Sequence, residues 1–353
     1  MVVAIIIIFE NLYLTTYTAK HLLKFIIFLF ISQIFVNIAR YPIVGIAELY
    51  IGSISVEGGS ITAIFSLIGI SFAFSAYIIE RKVKYILLIF GFFIFSLIGD
   101  KRAQIIISPL IMLIQYFHFI NIESKKIYHL VQIIPIIILS SIIVYIGVIT
   151  IPTLNPENKI YGSFDINYLI NFIDDYLFPA YPIKNIQQGR GEAPIAVYNL
   201  LTQRGWLYFF FGLGPGDIIS SVFTIPSRII GGEDFIAGIK YGIGYGTRTG
   251  LLFTVMQVGV VGLIFYLGIF FRIIQNVYKI YFNINPSINK NRNIILIGLI
   301  GALWIFVFDF LFYSKVFIYS MPIMVSILFA YKYLTLSPSY ESGFKYGVFN
   351  TSR

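Results

Sequence analysis

The fold class this sequence predicts is all-α, a polytopic transmembrane helix bundle of about eight spans with a large external loop carrying amphipathic or re-entrant helices, and three observations predict it. Hydrophobic residues make up 58% of the 353 residues and charged residues only 12%, against about a quarter charged in a soluble domain. A mean hydropathy of +0.86 leaves too little polar surface to cover a water-soluble globule. The apolar residues form continuous runs without period-two alternation, which points to helices and not barrel strands. The same composition excludes disorder, collagen and a disulfide scaffold. There is no cysteine, hence no thiolate metal site and no cysteine nucleophile. Three histidines argue against a multi-histidine metal centre.

A spanning helix needs about 20 mostly apolar residues. The runs that meet or approach this are Leu22–Ala39, Ile61–Ile79, Tyr85–Gly99, Ile105–Ile120, Ile127–Ile151, Thr249–Phe271, Ile294–Tyr313 and Val316–Leu334. The third and fourth are short, and their shared turn, Gly99-Asp100-Lys101-Arg102-Ala103-Gln104, is expected at or just below the outer headgroups. Met1–Phe9 is apolar but too short to span and lacks signal-peptide features. It reads as an interfacial stub or the end of a span that begins upstream. The organisation expected is residues 1–151 as the first five spans, 152–248 as a large external segment, 249–334 as the last three spans and 335–353 as a cytoplasmic tail.

Lys and Arg in short loops set orientation. Of the 25 basic residues, seven lie in the long segment and four, Arg40, Lys101, Arg102 and Lys315, in short outer loops. The remaining fourteen lie in inner loops and tails when both termini are cytoplasmic. Spread over many loops, the net charge of +9 serves orientation and does not point to nucleic acid.

Pro152–Arg248 is too long for a connection between adjacent spans, and long loops are where function concentrates. Within it Asp165–Phe178 places Ile166, Leu169, Ile170, Ile173 and Leu177 on one stripe. This helix either lies on the outer membrane surface above a site where lipid enters or is a lid packed on the bundle. Gly189-Arg190-Gly191-Glu192 is a polar turn. It leads into Ile195–Phe211, read as a helical run containing Arg204 and Trp206. That run ends at Gly212-Leu213-Gly214-Pro215-Gly216-Asp217, whose glycines let backbone approach a ligand or another helix closely. Gly231-Gly232-Glu233-Asp234 is a second flexible acidic turn. Gly242-Ile243-Gly244-Tyr245-Gly246 superficially echoes a potassium-channel filter, but the preceding Ile229–Tyr241 is broken by glycines and supplies no pore helix.

The spans are nearly free of charge. Asp309 is the one acid well inside a span, so it is expected to face the bundle and pair with Lys315, Arg102 or Arg248. Both a structural bridge and a functional role fit it. The long segment carries Lys159, Lys184, Arg190, Arg204, Arg228, Lys240 and Arg248, with eight acids, among them Glu192, Asp217, Glu233 and Asp234. Arg holds two phosphate oxygens at once, which Lys does not. His21, His118 and His129 all fall on or near the inner side, so an outward general base must be Asp or Glu.

Taken in order, these features resemble a bacterial O-antigen polymerase of the Wzy type, within the O-antigen ligase/polymerase group. The resemblance covers about residues 85–272. It rests on Gly99–Arg102, on the long late outer segment, on Arg204-Gly205-Trp206 followed by Gly212–Asp217, and on Gly246–Arg248 entering a span that contains Gly259 and Gly262. The resemblance implies a metal-independent, cofactor-free glycosyltransferase in the bacterial inner membrane. Donor and acceptor are undecaprenyl-pyrophosphate-linked oligosaccharides, and a chain-length regulator and a flippase are the implied partners. Arg204, Arg102, Arg190, Arg228 and Arg248 are candidates to hold the pyrophosphate, with Gly212, Gly214 and Gly216 lining it. Glu192, Asp217, Glu233 and Asp234 are candidates for the base. The related ligases are similar in layout but use an outward His, absent here. A flippase needs charged residues along a path through the spans, and these spans are poor in charge.

Overall fold

The computed structural model describes residues 12–44, 59–99, 102–122, 193–214, 249–283, 290–313 and 321–336, with Gly191 and a few positions between 138 and 146. Among the described residues the chain is all-helical, with no strand. The helices are α1 (Thr16–Val44), α2 (Gly59–Glu80), α3 (Val83–Ile98), α4 (Arg102–Ile122), α5 (Ala193–Gln203), α6 (Trp206–Phe211), α7 (Gly250–Phe282), α8 (Lys290–Phe308) and α9 (Met321–Leu336). A π-helical turn, Asp309–Tyr313, continues α8. Among the described residues four stretches are long and apolar enough to cross a membrane: Tyr17–Ile43, Ala63–Glu80, Gly250–Phe282 and Lys290–Phe312. The chain is a helical membrane protein.

The first four expected spans, the sixth and the seventh fall on helical segments, and the eighth does so from Met321 onward, its start lying outside the described residues. The fifth, Ile127–Ile151, lies outside the described residues except for a few helical positions. The Asp165–Phe178 helix, the Gly231–Asp234 and Gly242–Gly246 turns and the tail 335–353, beyond its first two residues, also lie outside them. The sixth expected span was Thr249–Phe271, whereas α7 runs on to Phe282. The extension comes from packing: Ile273, Val277 and Tyr281 are buried against the core, beyond the point where hydropathy alone ends the run at Arg272.

The core is built around α8, which packs on α2, α4 and α9, while α2 also packs on α3 and α4. Leu296, Ile297, Leu299, Ile300, Ala302 and Ile305 of α8 are fully buried or nearly so. Small residues let the backbones approach. A Cβ on Gly298 would strike the Phe72 ring, and one on Gly301 would strike Ser71 Oγ and Gln115 Nε2. At this crossing Gln115 Nε2 donates to Ser71 O (3.0 Å), Ser71 Oγ (2.9 Å) and Ile297 O (3.0 Å). Ser71 Oγ in turn donates to Gly298 O at 2.9 Å. The node ties three helices together without a charge. That suits a medium where apolar contact alone adds little drive for helices to associate.

Two further contacts fix which helix ends share a side. Tyr281 Oη donates to His118 O at 2.9 Å, and His118 Nε2 lies 3.1 Å from Tyr278 Oη. The carboxyl ends of α4 and α7 therefore lie together. The α2–α3 turn is on this side as well, because the Arg81 guanidinium stands over the Phe119 ring. In that turn Arg81 has φ +58°, Lys82 Nζ pairs with Glu80 at 2.7 Å, and Tyr85 Oη donates to the same carboxylate at 2.9 Å.

Candidate functional site

The amino-terminal half of α7 receives the described part of the long segment. Ala193, Val197 and Leu201 repeat at four-residue spacing on α5 and form a second buried cluster with Leu252, Phe253 and Met256 of α7. The expected continuous helix Ile195–Phe211 is in fact two helices. It breaks at Arg204-Gly205, where Gly205 adopts φ +116°, ψ 154°, a region open in practice only to glycine. α6 then runs Trp206–Phe211 and stops at Gly212, with φ +76°, ψ −175°.

Beyond α6 the chain joins α7 through its backbone. α7 is interrupted at Gly259, whose φ +68°, ψ −173° is non-helical. A break inside a spanning helix frees carbonyls that must find donors, because hydrocarbon supplies none. Here Leu213 N–H donates to Met256 O at 2.7 Å and Gly214 N–H to Gln257 O at 3.1 Å. The approach is close enough that both sides need glycine. A Cβ on Gly212 would collide with the Gln257 carbonyl and Val258 amide, and one on Gly259 with the Phe210 carbonyl and Phe211 amide. Of the two uses expected for Gly212, close approach to another helix is what the structure shows. The Gly212 amide is bonded to Tyr208 O at 2.8 Å and the Gly214 amide to Gln257 O, so these glycines shape the surface and their N–H groups are engaged by protein carbonyls.

Arg204 is exposed, at the hinge between α5 and α6. Its amide closes the last turn of α5 on Leu200 O at 3.4 Å. Of the other expected site residues, Arg102 opens α4, without a described side chain. Arg190, Glu192, Gly216, Asp217, Arg228, Glu233, Asp234 and Arg248 lie outside the described residues. Asp309 does face the bundle, 1% exposed. Its expected partners Lys315, Arg102 and Arg248 have no described side chains.

Gln257 is a residue of this region that hydropathy and motif spacing do not single out. It is the one amide side chain in the uncharged run Gly250–Phe271, and its Nε2 is buried without a hydrogen-bond partner among the described residues. A lone Gln in an apolar run is the signal that marks it, since polar groups in spans are costly. His118 lies at the other end of α7: Tyr278 is about 30 Å beyond Gln257 at 1.5 Å per residue. Among the described residues no group of three or more His, Asp or Glu is gathered as a metal site.

Comparison with protein-family models, curated proteins and solved structures returns no match.

Proposed function

We propose that the chain is a metal-independent glycosyltransferase that polymerises undecaprenyl-pyrophosphate-linked oligosaccharide units on the outer face of the bacterial inner membrane. The product is an O-antigen, capsular or exopolysaccharide. The observation that carries the reading is an exposed arginine at a glycine hinge, one short helix away from a backbone joint that fixes the loop to a spanning helix. Such a joint fixes the backbone of the short helix that follows Arg204, and a fixed backbone favours preorganised charge stabilisation.

In the reaction the acceptor hydroxyl oxygen attacks the anomeric carbon of the donor. The bond from that carbon to the pyrophosphate oxygen breaks, and the lipid pyrophosphate leaves with the electron pair. The leaving group is already ionised and needs cations more than a proton. Arg204 serves first, with Arg102, Arg190, Arg228 and Arg248 as further candidates. The acceptor proton passes to a carboxylate among Glu192, Asp217, Glu233 and Asp234. The separation of His118 from the hinge, the length of most of α7, supports a carboxylate base over His118.

The test is deletion of the gene in its host, with Arg204→Lys and Arg204→Ala restored at matched protein level. Deletion leaving single repeat units on the surface supports a polymerase. Full-length chains no longer attached to their lipid core indicate a ligase, and loss of all surface repeats indicates a flippase. Arg204→Lys keeps charge and reach but loses two-oxygen recognition. A loss of about 3 kcal/mol at the transition state slows turnover roughly a hundredfold. Wild-type chain lengths from Arg204→Lys would remove Arg204 from the site.

A further inference from the structure

The α5–α6 segment carries a surface that the proposed chemistry leaves unused. Every residue of α6 is apolar or aromatic, Trp206-Leu207-Tyr208-Phe209-Phe210-Phe211. Phe209 alone turns inward, to the α5–α7 cluster. The other five are exposed, from 43% at Tyr208 to 74% at Leu207. In water such a run on a six-residue helix is costly.

Its depth is set by the joint to α7. The run Gly250–Phe271 carries no charge and is followed at once by Arg272. At 1.5 Å per residue its two helical parts, on either side of the break at Gly259, together come to about 30 Å, which matches the hydrocarbon core and places the core boundary near Gly250. Met256 and Gln257 then lie about 10 Å inside that boundary. Leu213 and Gly214 are hydrogen-bonded to the carbonyls of those two residues, so they share that depth. The chain reaches it through α6, whose own carboxyl end at Phe210–Phe211 is in backbone contact with Gly259. Non-helical backbone at membrane depth is tolerated where protein satisfies it, and the Met256 and Gln257 carbonyls do so. Ile264 and Phe265, further along α7, are exposed apolar residues as well.

The geometry points to α6 as a re-entrant element sunk in one leaflet, with Trp206, Leu207, Tyr208, Phe210 and Phe211 in contact with lipid acyl chains. The occupant of this face is the bilayer itself. The inference depends on the membrane fold and is independent of the glycosyltransferase reading.

The chain has two tryptophans, Trp206 and Trp304, and Trp304→Phe leaves Trp206 as the sole reporter. The purified variant is reconstituted into phosphatidylcholine vesicles whose acyl chains carry bromine at defined depths. Embedding predicts that bromine on the chains removes most Trp206 emission while aqueous iodide removes little. Strong iodide quenching with no bromine effect overturns the proposal by placing α6 in water. Protection from both quenchers overturns it by placing another segment of the chain over the face. The absence of native cysteine provides a second measurement if Trp304→Phe does not fold. A membrane-impermeant maleimide is expected to label Leu207→Cys more than about tenfold slower than Gln203→Cys, since a thiol in apolar surroundings is held protonated. Equal rates overturn the proposal.

Discussion

The central bundle and the α5–α6 segment are joined to their neighbours by opposite means. In the bundle, α2, α4 and α8 meet largely through side chains: apolar packing around buried polar links, Ser71 with Gln115 and Ser66 with Gln104, over two glycines that only make room. At α6 the contact is backbone on backbone, and glycine does more than make room. Gly212 and Gly259 both hold conformations closed to other residues, and each lies where the partner's backbone leaves no space for a Cβ. Side-chain contacts relax when one group changes, because neighbours rotate. A backbone joint has nothing to rotate. It is therefore the more brittle attachment and the more exact positioner, and it lies one short helix from the residue proposed to bind substrate.

Four substitutions break or sharpen this contrast, each read as thermal unfolding of the purified protein in detergent. Gly259→Ala is expected to cost most, about 3 kcal/mol or more, because strain in a glycine-only conformation adds to overpacking against backbone. An unchanged unfolding temperature would show that the joint contributes no stability. Gly205→Ala comes next, at about 2 kcal/mol: the strain is the same in kind, but no atom lies within 4 Å of the added Cβ. If Gly205→Ala costs as much as Gly259→Ala, collision with backbone is not what sets the joint apart. Gln115→Leu removes the polar node where α2, α4 and α8 cross and is expected to cost about 1 kcal/mol, since interhelical hydrogen bonds in membranes are worth little more. A loss as large as that of Gly259→Ala would reverse the order of the two regions. Lys82→Ala, at the exposed rim where Lys82 pairs with Glu80, is expected to cost less than about 0.5 kcal/mol, because a partly exposed ion pair is screened. A larger effect would mean that the turn around Arg81 depends on that pair.

Much of the architecture was legible because lipid imposes one rule on any spanning segment, and hydropathy reads that rule directly. The runs at Leu22–Ala39, Ile61–Ile79 and Ile294–Tyr313 fall on α1, α2 and α8 for this reason. The inward turn of Asp309 was legible too, from the cost of charge in hydrocarbon. The length of α7 was less so: Ile273, Val277 and Tyr281 are held by core packing, which a window of mean hydropathy does not see. At the candidate site the sequence marked Arg204, Gly212 and Gly214 as special through their residue types. It also read one helix across Arg204-Gly205, since a single glycine in an apolar run is compatible with both a helix and a break.

The sequence by itself determined that this is a charge-poor helical membrane protein, that its long segment is rich in glycine and arginine, and that no cysteine chemistry operates. Each is set by composition or local order, because solvation acts on every residue separately. Only the tertiary structure decided that Gly212 and Gly259 face each other, that the carbonyls freed at Gly259 are satisfied by Leu213 and Gly214, and that His118 lies at the far end of α7 from Arg204. These are relations between residues distant along the chain. No local propensity encodes them: a glycine carries no side chain to announce its partner, and its role exists only where another backbone comes within reach.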